Sequence, residues 1–272
     1  MSTVKRNPKL PAAAGALAAL FALPARADWS LLNMPKGVSV LSREIYDMHM
    51  IMVWICLGIA VVTFGAMIFA MIRFRKSKGA VADTKLLHNA RLEAAWTLVP
   101  TIILIAMAIP SVDKLIKIED MSGSELTVKI TGYQWYWQYE YLGKGVSFYS
   151  RLARTSDLAR QRGSGIDPNT VENYLLEVDH PLVVPVGTKI RLLLTANDVI
   201  HAWWVPDFGM KRDAIPGFMN EMWISVDADK PGTYRGKCAE LCGADHGFMP
   251  IVVVAKPKPE FETWLAQQVA TE

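Results

Sequence analysis

Cysteine is scarce in this chain: three residues in 272, too few for a disulfide scaffold. A strong excess of one charge is also missing, with 29 Lys and Arg against 26 Asp and Glu. With 51% of the residues hydrophobic, that balance excludes a disordered chain. No nucleic-acid partner is expected. The most telling lack is local. Met50 to Ile72 holds no charged residue in 23 positions, and Ala94 to Val112 none in 19, each long enough to cross a bilayer as a helix. We therefore expect a membrane α-helical hairpin over 28–117, its two transmembrane helices at about 48–72 and 94–115, in contact with membrane lipid.

Ahead of the hairpin, Met1 to Ala27 carries Lys5, Arg6 and Lys9, an Ala/Leu-rich run from Leu10 to Leu23, and Ala25-Arg26-Ala27. This is the layout of a cleavable signal peptide, 1–27, with cleavage after Ala27. The apolar run is fourteen residues, short of the ~20 that a spanning helix wants. N-terminal sequencing that returned Met1 or Ser2 would contradict cleavage. Between the spans, Arg73, Arg75, Lys76, Lys78, Lys85 and Arg91 oppose only Asp83 and Glu93, which places this loop in the cytoplasm and both termini outside. Pro100 and Pro110 in the second span suggest packing against a larger membrane partner. Without the signal and that loop, 19 basic residues face 24 acidic ones, so the outward part would steer a basic protein partner at low ionic strength.

From Glu125 onward the pattern changes to short β-rich runs punctuated by Pro and Gly: Leu126 to Thr131, the aromatic stretch to Tyr141, Tyr174 to Val178, Lys189 to Thr195, Glu221 to Val226 and Pro250 to Ala255. Such runs suggest an antiparallel β-sandwich or barrel over 118–272, closed by a C-terminal helix. In the aromatic stretch, alternation predicts that Tyr133, Trp135, Trp137 and Tyr139 share one face.

The chemistry is concentrated in Cys238-Ala-Glu240-Leu-Cys242-Gly-Ala-Asp-His246-Gly-Phe-Met249. Thiolate, imidazole and thioether are the ligands soft copper selects, whereas magnesium or calcium wants mostly oxygen. A blue-copper centre needs one Cys with two His and an axial Met, so the second Cys suggests two metals bridged by thiolates. His201, in Val199-Ile-His-Ala-Trp203, could supply the second imidazole, and the role would be electron transfer. A disulfide or a zinc site is the alternative, but a disulfide needs neither His246 nor Met249, and structural zinc does not use a thioether. Cys56, in an apolar helix, is read as inert packing. His49, His88 and His180 are read as surface or interface residues rather than ligands.

The spacing Cys-x-Glu-x-Cys-x3-His-x2-Met, preceded by His201 and by Asp213-Ala-Ile-Pro-Gly217, resembles subunit II of haem-copper cytochrome c oxidases over nearly the whole mature chain. The resemblance implies a cupredoxin-like exported domain with a dinuclear copper centre, CuA, held by His201, Cys238, Cys242, His246, Met249 and the backbone carbonyl of Glu240. It implies that the Glu240 carboxylate reaches a magnesium or manganese shared with subunit I. It also implies that Trp135, in Gly132-Tyr-Gln-Trp135-Tyr-Trp137, receives electrons from cytochrome c, and that Glu93 stands at the mouth of a proton channel in the partner. By resemblance Asp198 belongs to an acidic docking patch, although a loop carboxylate equally serves as a turn former.

The function so implied is one subunit of a terminal oxidase in a bacterial inner membrane, with the copper domain on the periplasmic side. It would pass electrons to haem of subunit I for reduction of oxygen to water, coupled to proton translocation, with no catalysis by this chain alone. Other oxidase subunits are implied as partners. No fused cytochrome c domain is expected, so the donor would be a separate protein. Residues 143–173 depart from the shorter form of the family by a basic insertion with Arg151, Arg154, Arg160 and Arg162, whose charge could deflect a basic donor. Two competing readings stand beside this one: a subunit of a quinol oxidase without copper, which the six ligand positions oppose, and a free-standing copper electron carrier.

Overall fold

This computed structural model describes residues 32–81 and 88–270; the expected signal segment, 1–27, lies outside them, as do Asp83 and Lys85. Among the described residues, the long helices and the strands belong to one compact unit, 36–272.

Helix α1 runs Val40–Arg73 and helix α2 Ala90–Glu119. At about 1.5 Å rise per residue, the 34 residues of α1 extend roughly 51 Å, well beyond the ~30 Å of a hydrocarbon core. α1 begins ten residues before the charge-free run because Ser39 and Ser42 form a reciprocal capping box: each side-chain oxygen accepts the other's backbone N–H at 3.0 Å. The charges just before the expected span pair with residues far along the chain. Arg43 pairs with Asp227 at 2.5 Å, and Glu44 pairs with Lys114 and Lys117 of α2 at 3.3 and 3.5 Å. α2 is capped by Asn89, whose side chain accepts the N–H groups of Arg91 and Leu92. Large apolar side chains stand exposed along both helices, Trp54 at 64% and Ile109 at 72% among them. Apolar surface on that scale requires lipid or another protein to cover it.

The boundary expected at residue 118 falls inside the last turn of α2, which is tied to the β-domain. Lys189 Nζ donates to the carbonyls of Asp120 and Ser122 at 2.7 and 2.8 Å, Arg212 pairs with Glu119 at 2.6 Å, and Trp223 Nε1 donates to the Lys117 carbonyl.

Among the described residues the β-domain has ten strands: β1 Leu126–Tyr133, β2 Tyr136–Tyr141, β3 Val146–Ser150, β4 Leu182–Pro185, β5 Ile190–Ala196, β6 His201–Trp204, β7 Lys211–Ala214, β8 Asn220–Ile224, β9 Gly232–Cys238 and β10 Pro250–Lys256. They form two five-stranded sheets, ordered β3-β2-β1-β5-β8 and β4-β10-β9-β6-β7. The inner faces share one core, with Ile130, Trp137, Tyr139, Leu192 and Leu194 from the first sheet and Leu182, Trp203, Ile251 and Val253 from the second. Trp203 Nε1 donates to Tyr139 Oη, and Tyr141 Oη to the Val183 carbonyl, so the sheets are pinned across the core by satisfied polar tips. A C-terminal helix, Lys258–Val269, covers one end through Phe261 and Trp264 against Tyr141.

Three expectations need correction. The sandwich is not wholly antiparallel, because β1 pairs β5 and β4 pairs β10 in parallel. Tyr174 to Val178 is not a strand: 172–175 is a turn, and only Val178 pairs, by a single bridge to Leu152. Tyr133 does not share a face with Trp137 and Tyr139. The strand ends there, Gln134 and Trp135 make the turn, and Tyr133 stacks on Tyr136 outside while Trp137 and Tyr139 are fully buried.

Candidate metal centre

The site lies at one end of the sandwich, where β6 begins and β9 ends. β6 pairs with β9 through Trp203 opposite Cys238, which sets His201 beside the loop that succeeds Cys238. That loop is closed by two backbone bonds: Cys238 N–H donates to the Met249 carbonyl at 3.0 Å and Ala239 N–H to the Ala202 carbonyl at 2.9 Å. The ends of the ligand motif thus meet where β9 ends and β10 is about to begin.

The potential donors converge. Cys238 Sγ lies 3.7 Å from Cys242 Sγ, and both thiols are free. Each sulfur has its own imidazole: Cys238 Sγ is 3.9 Å from His201 Nδ1, and Cys242 Sγ is 3.5 Å from His246 Nδ1. The Glu240 carbonyl points inward, 3.3 Å from Cys238 Sγ, while its side chain is exposed. Ligand atoms of His201, Cys238 and Cys242, all buried residues, lie within 4.8 Å of one another. Met249 is buried at the loop's end. Two sulfurs, two imidazole nitrogens and an inward carbonyl form a soft donor set that fits copper.

The surroundings fix these donors. Asp198 Oδ1 lies 2.9 Å from His201 Nε2, which turns Nδ1 toward the sulfurs, and Asp198 Oδ2 accepts the Gln134 N–H at 2.7 Å. The carboxylate that the sequence offered for docking or as a turn former also tethers His201, while the residue itself stays exposed. Gly132 permits the close approach of β1, since a Cβ there would come within 2.8 Å of His201 Cδ2. Gln134 Nε2 and Trp135 Nε1 both donate to the Cys242 carbonyl, at 2.8 and 3.1 Å, and Gly243, at φ +115°, makes room for them.

Electrostatics divides the two thiols. Burial pushes the Cys238 thiol up, but hydrogen bonds with His201 and with the backbone of Ala202 outweigh it and bring it down to about 7. Burial, and then the charge on Cys238, push Cys242 up to about 12. At His201, hydrogen bonds to Cys238 and Asp198 override burial and favour the protonated ring. The Asp198 side chain is partly buried, but the bonds it accepts hold its carboxyl below the usual range. A cation that neutralises both sulfurs would relieve this mutual repulsion.

Glu93 lies far along the chain, in the first turn of α2. Its Oε1 accepts the Asn89 N–H at 3.0 Å and lies 2.6 Å from His88 Nδ1, so it completes the helix cap. His180 sits beside Asp179, outside the cluster. Asp198 was read for docking or as a turn former, but the tether Gln134 and the pairing of Arg160 with Asp245 in the ligand loop escape a reading by motif. The one available signal was their proximity to His201, Trp135 and the unexplained insertion.

The chain matches the family "Cytochrome C oxidase subunit II, periplasmic domain" over residues 126–256 and "Cytochrome C oxidase subunit II, transmembrane domain" over residues 27–113. It is 38% identical over 238 residues to a probable cytochrome c oxidase subunit 2 of Rickettsia prowazekii (strain Madrid E), covering 88% of this chain and 72% of that one. It is 44% identical over 192 residues to cytochrome c oxidase subunit 2 of Lycodon semicarinatus, covering 68% and 79%. The solved periplasmic domain of subunit II of cytochrome oxidase of Bradyrhizobium japonicum is 40% identical and covers 56% of this chain and 99% of its own, with a TM-score of 0.47. With both parts of the chain matched and its relatives covered over most of their length, this chain belongs to the cytochrome c oxidase subunit II family, a component of the terminal oxidase.

Proposed function

We propose that this chain is the electron-accepting subunit of its oxidase, with a dinuclear CuA centre held by His201, Cys238, Cys242, His246, Met249 and the Glu240 carbonyl. The observation that carries this reading is the paired arrangement: two free sulfurs 3.7 Å apart, each with an imidazole nitrogen within 3.9 Å. When bound, a copper pair held by these residues would supply a one-electron couple.

The protein's share is to hold donors still. Strands β6 and β9 carry His201 and Cys238 on a rigid sandwich, so the ligands shift little between charge states. The indole of Trp135, half-buried at the tip of the β1–β2 turn, is one hydrogen bond from the Cys242 backbone and is the proposed point where cytochrome c delivers electrons. The exposed Glu240 carboxylate, free of the copper set, would bind magnesium or manganese at the boundary with the haem-bearing subunit I. Glu93 would serve proton uptake in addition to capping α2. The two spans would lie in a bacterial inner membrane with the copper domain on the periplasmic side, packed against subunit I and lipid. Cleavage of 1–27 belongs to the same proposal.

Mixing the full copper-loaded chain with reduced cytochrome c tests this function. The expected result is oxidation of one cytochrome c per copper pair. Copper-loaded protein that leaves the cytochrome reduced would contradict the reading.

A further inference from the structure

The basic insertion has a task that its sequence does not disclose. It is a stitched lobe: Ala153 N–H donates to the Glu177 carbonyl and Asp179 N–H to the Arg151 carbonyl, both at 3.0 Å, and the Leu175 N–H reaches the buried Ser156 Oγ. Glu177 in turn pairs with Arg235 of β9 at 2.6 Å, three positions before Cys238 on the same strand. A short helix, Arg154–Ala159, ends at Arg160. That guanidinium is committed on three sides. Its Nε donates to Asp157 at 2.7 Å, its two terminal nitrogens lie 3.4 Å from the two carboxylate oxygens of Asp245, and its carbon sits 4.5 Å from the Phe248 ring centroid. Asp245 and Phe248 bracket His246 and precede Met249. Between the lobe and the loop lies a cavity of about 200 Å³ bordered by Trp135 and Arg160.

We propose that Arg160 is a positioning residue for the metal centre: through Asp245 and Phe248 it clamps the turn that carries His246 and Met249. This rests on the reading that the loop holds a copper pair. His246 needs such a brace more than His201 does, because His201 is buried on a strand with Asp198 behind its ring, whereas His246 is half-buried on a loop. The planar fork gripping a carboxylate while stacking on an aromatic ring is a use of arginine that lysine does not reproduce. The insertion therefore spends Arg160 inside the protein rather than on a donor.

The test uses the full chain in detergent, loaded with copper, and tracks copper loss to excess chelator together with the electron paramagnetic resonance line shape. Loss of an outer partner of a ligand typically costs 10–100-fold in metal affinity. We expect Arg160→Met to release copper about tenfold faster, at the low end of that range, with an altered line shape and unchanged thermal unfolding of the copper-free protein. Arg160→Lys should fall between, and Asp245→Asn should match Arg160→Met. The double variant should be no worse than either single one, because both break the same contact. If Arg160→Met does not fold, Arg160→Lys and Asp245→Asn still decide. Wild-type release rates and line shape in the folded variants, or independent additive effects in the double variant, would overturn the proposal. A wild-type chain that fails to hold two coppers would instead remove the reading beneath it, an outcome visible before any variant is made.

Discussion

His201 and His246 face the same pair of sulfurs but are mounted in opposite ways. His201 is completely buried at the start of β6, under Gly132 of β1, with its far nitrogen held by Asp198. His246 lies on the loop between β9 and β10, half-buried, and is steadied from outside by neighbours that contact Arg160. One half of the centre is built into the sandwich and the other is folded over it. The sandwich half should be preformed, whereas the loop half should depend on tethers and on the metal itself.

The strongest way to break the comparison is to remove one of the two sulfurs proposed to bridge the copper pair. Cys238→Ser and Cys242→Ser should each abolish the shared-electron state, detected as loss of its paramagnetic spectrum, because a hydroxyl is a poor substitute for a soft thiolate. Next comes the mount of His201. Asp198→Ala should weaken copper retention by about 10–100-fold, measured by competition with a chelator. That exceeds the effect expected at Arg160, and the reverse order would refute the idea of a preformed half.

The thiols give a pH signature. A ligand must shed its proton to bind metal, so loading releases protons. Cys238, brought down to about 7, sheds progressively less on loading as pH rises from 6 to 8, while Cys242, pushed up to about 12, still carries its proton throughout that range. Proton release in weak buffer should therefore fall with pH but stay well above zero at pH 8. A release that vanishes there would show that Cys242 is already charged.

Smaller effects are expected at the edges of the centre. Trp135→Phe loses the bond to Cys242, yet Gln134 still donates to that carbonyl, so copper content should be unchanged while reduction by cytochrome c slows several-fold. Equal rates at low donor concentration would remove Trp135 from the path. Glu93→Gln keeps an oxygen for the Asn89 N–H but loses the charge opposite His88, so α2 and the copper spectrum should be untouched. Impaired proton uptake by the assembled oxidase would separate channel from cap.

How much the sequence disclosed depends on the range of each contact along the chain. The ligand loop is legible because five of its donors fall within twelve residues. The contacts that position it join residues far apart: Arg160 and Asp245 are separated by 85 positions, and Gln134 and Cys242 by 108, so neither motif nor periodicity exposes them. Asp198 was visible, three positions from His201, but the bond it accepts from Gln134, 64 positions away, was not. The aromatic stretch misled because alternation was carried through a turn, although Gln134 and Trp135 end one strand and reset the face of the next. The charges near the start of α1 signalled the end of a span, whereas the helix continues through them into ion pairs with distant residues.

The most direct measurement is the electron paramagnetic resonance spectrum of the full chain, loaded with copper and assayed for metal content in the same sample. We expect two coppers per chain and one unpaired electron whose hyperfine pattern shows equal coupling to both nuclei. One copper with a localised electron, or two that do not share it, would contradict the central claim.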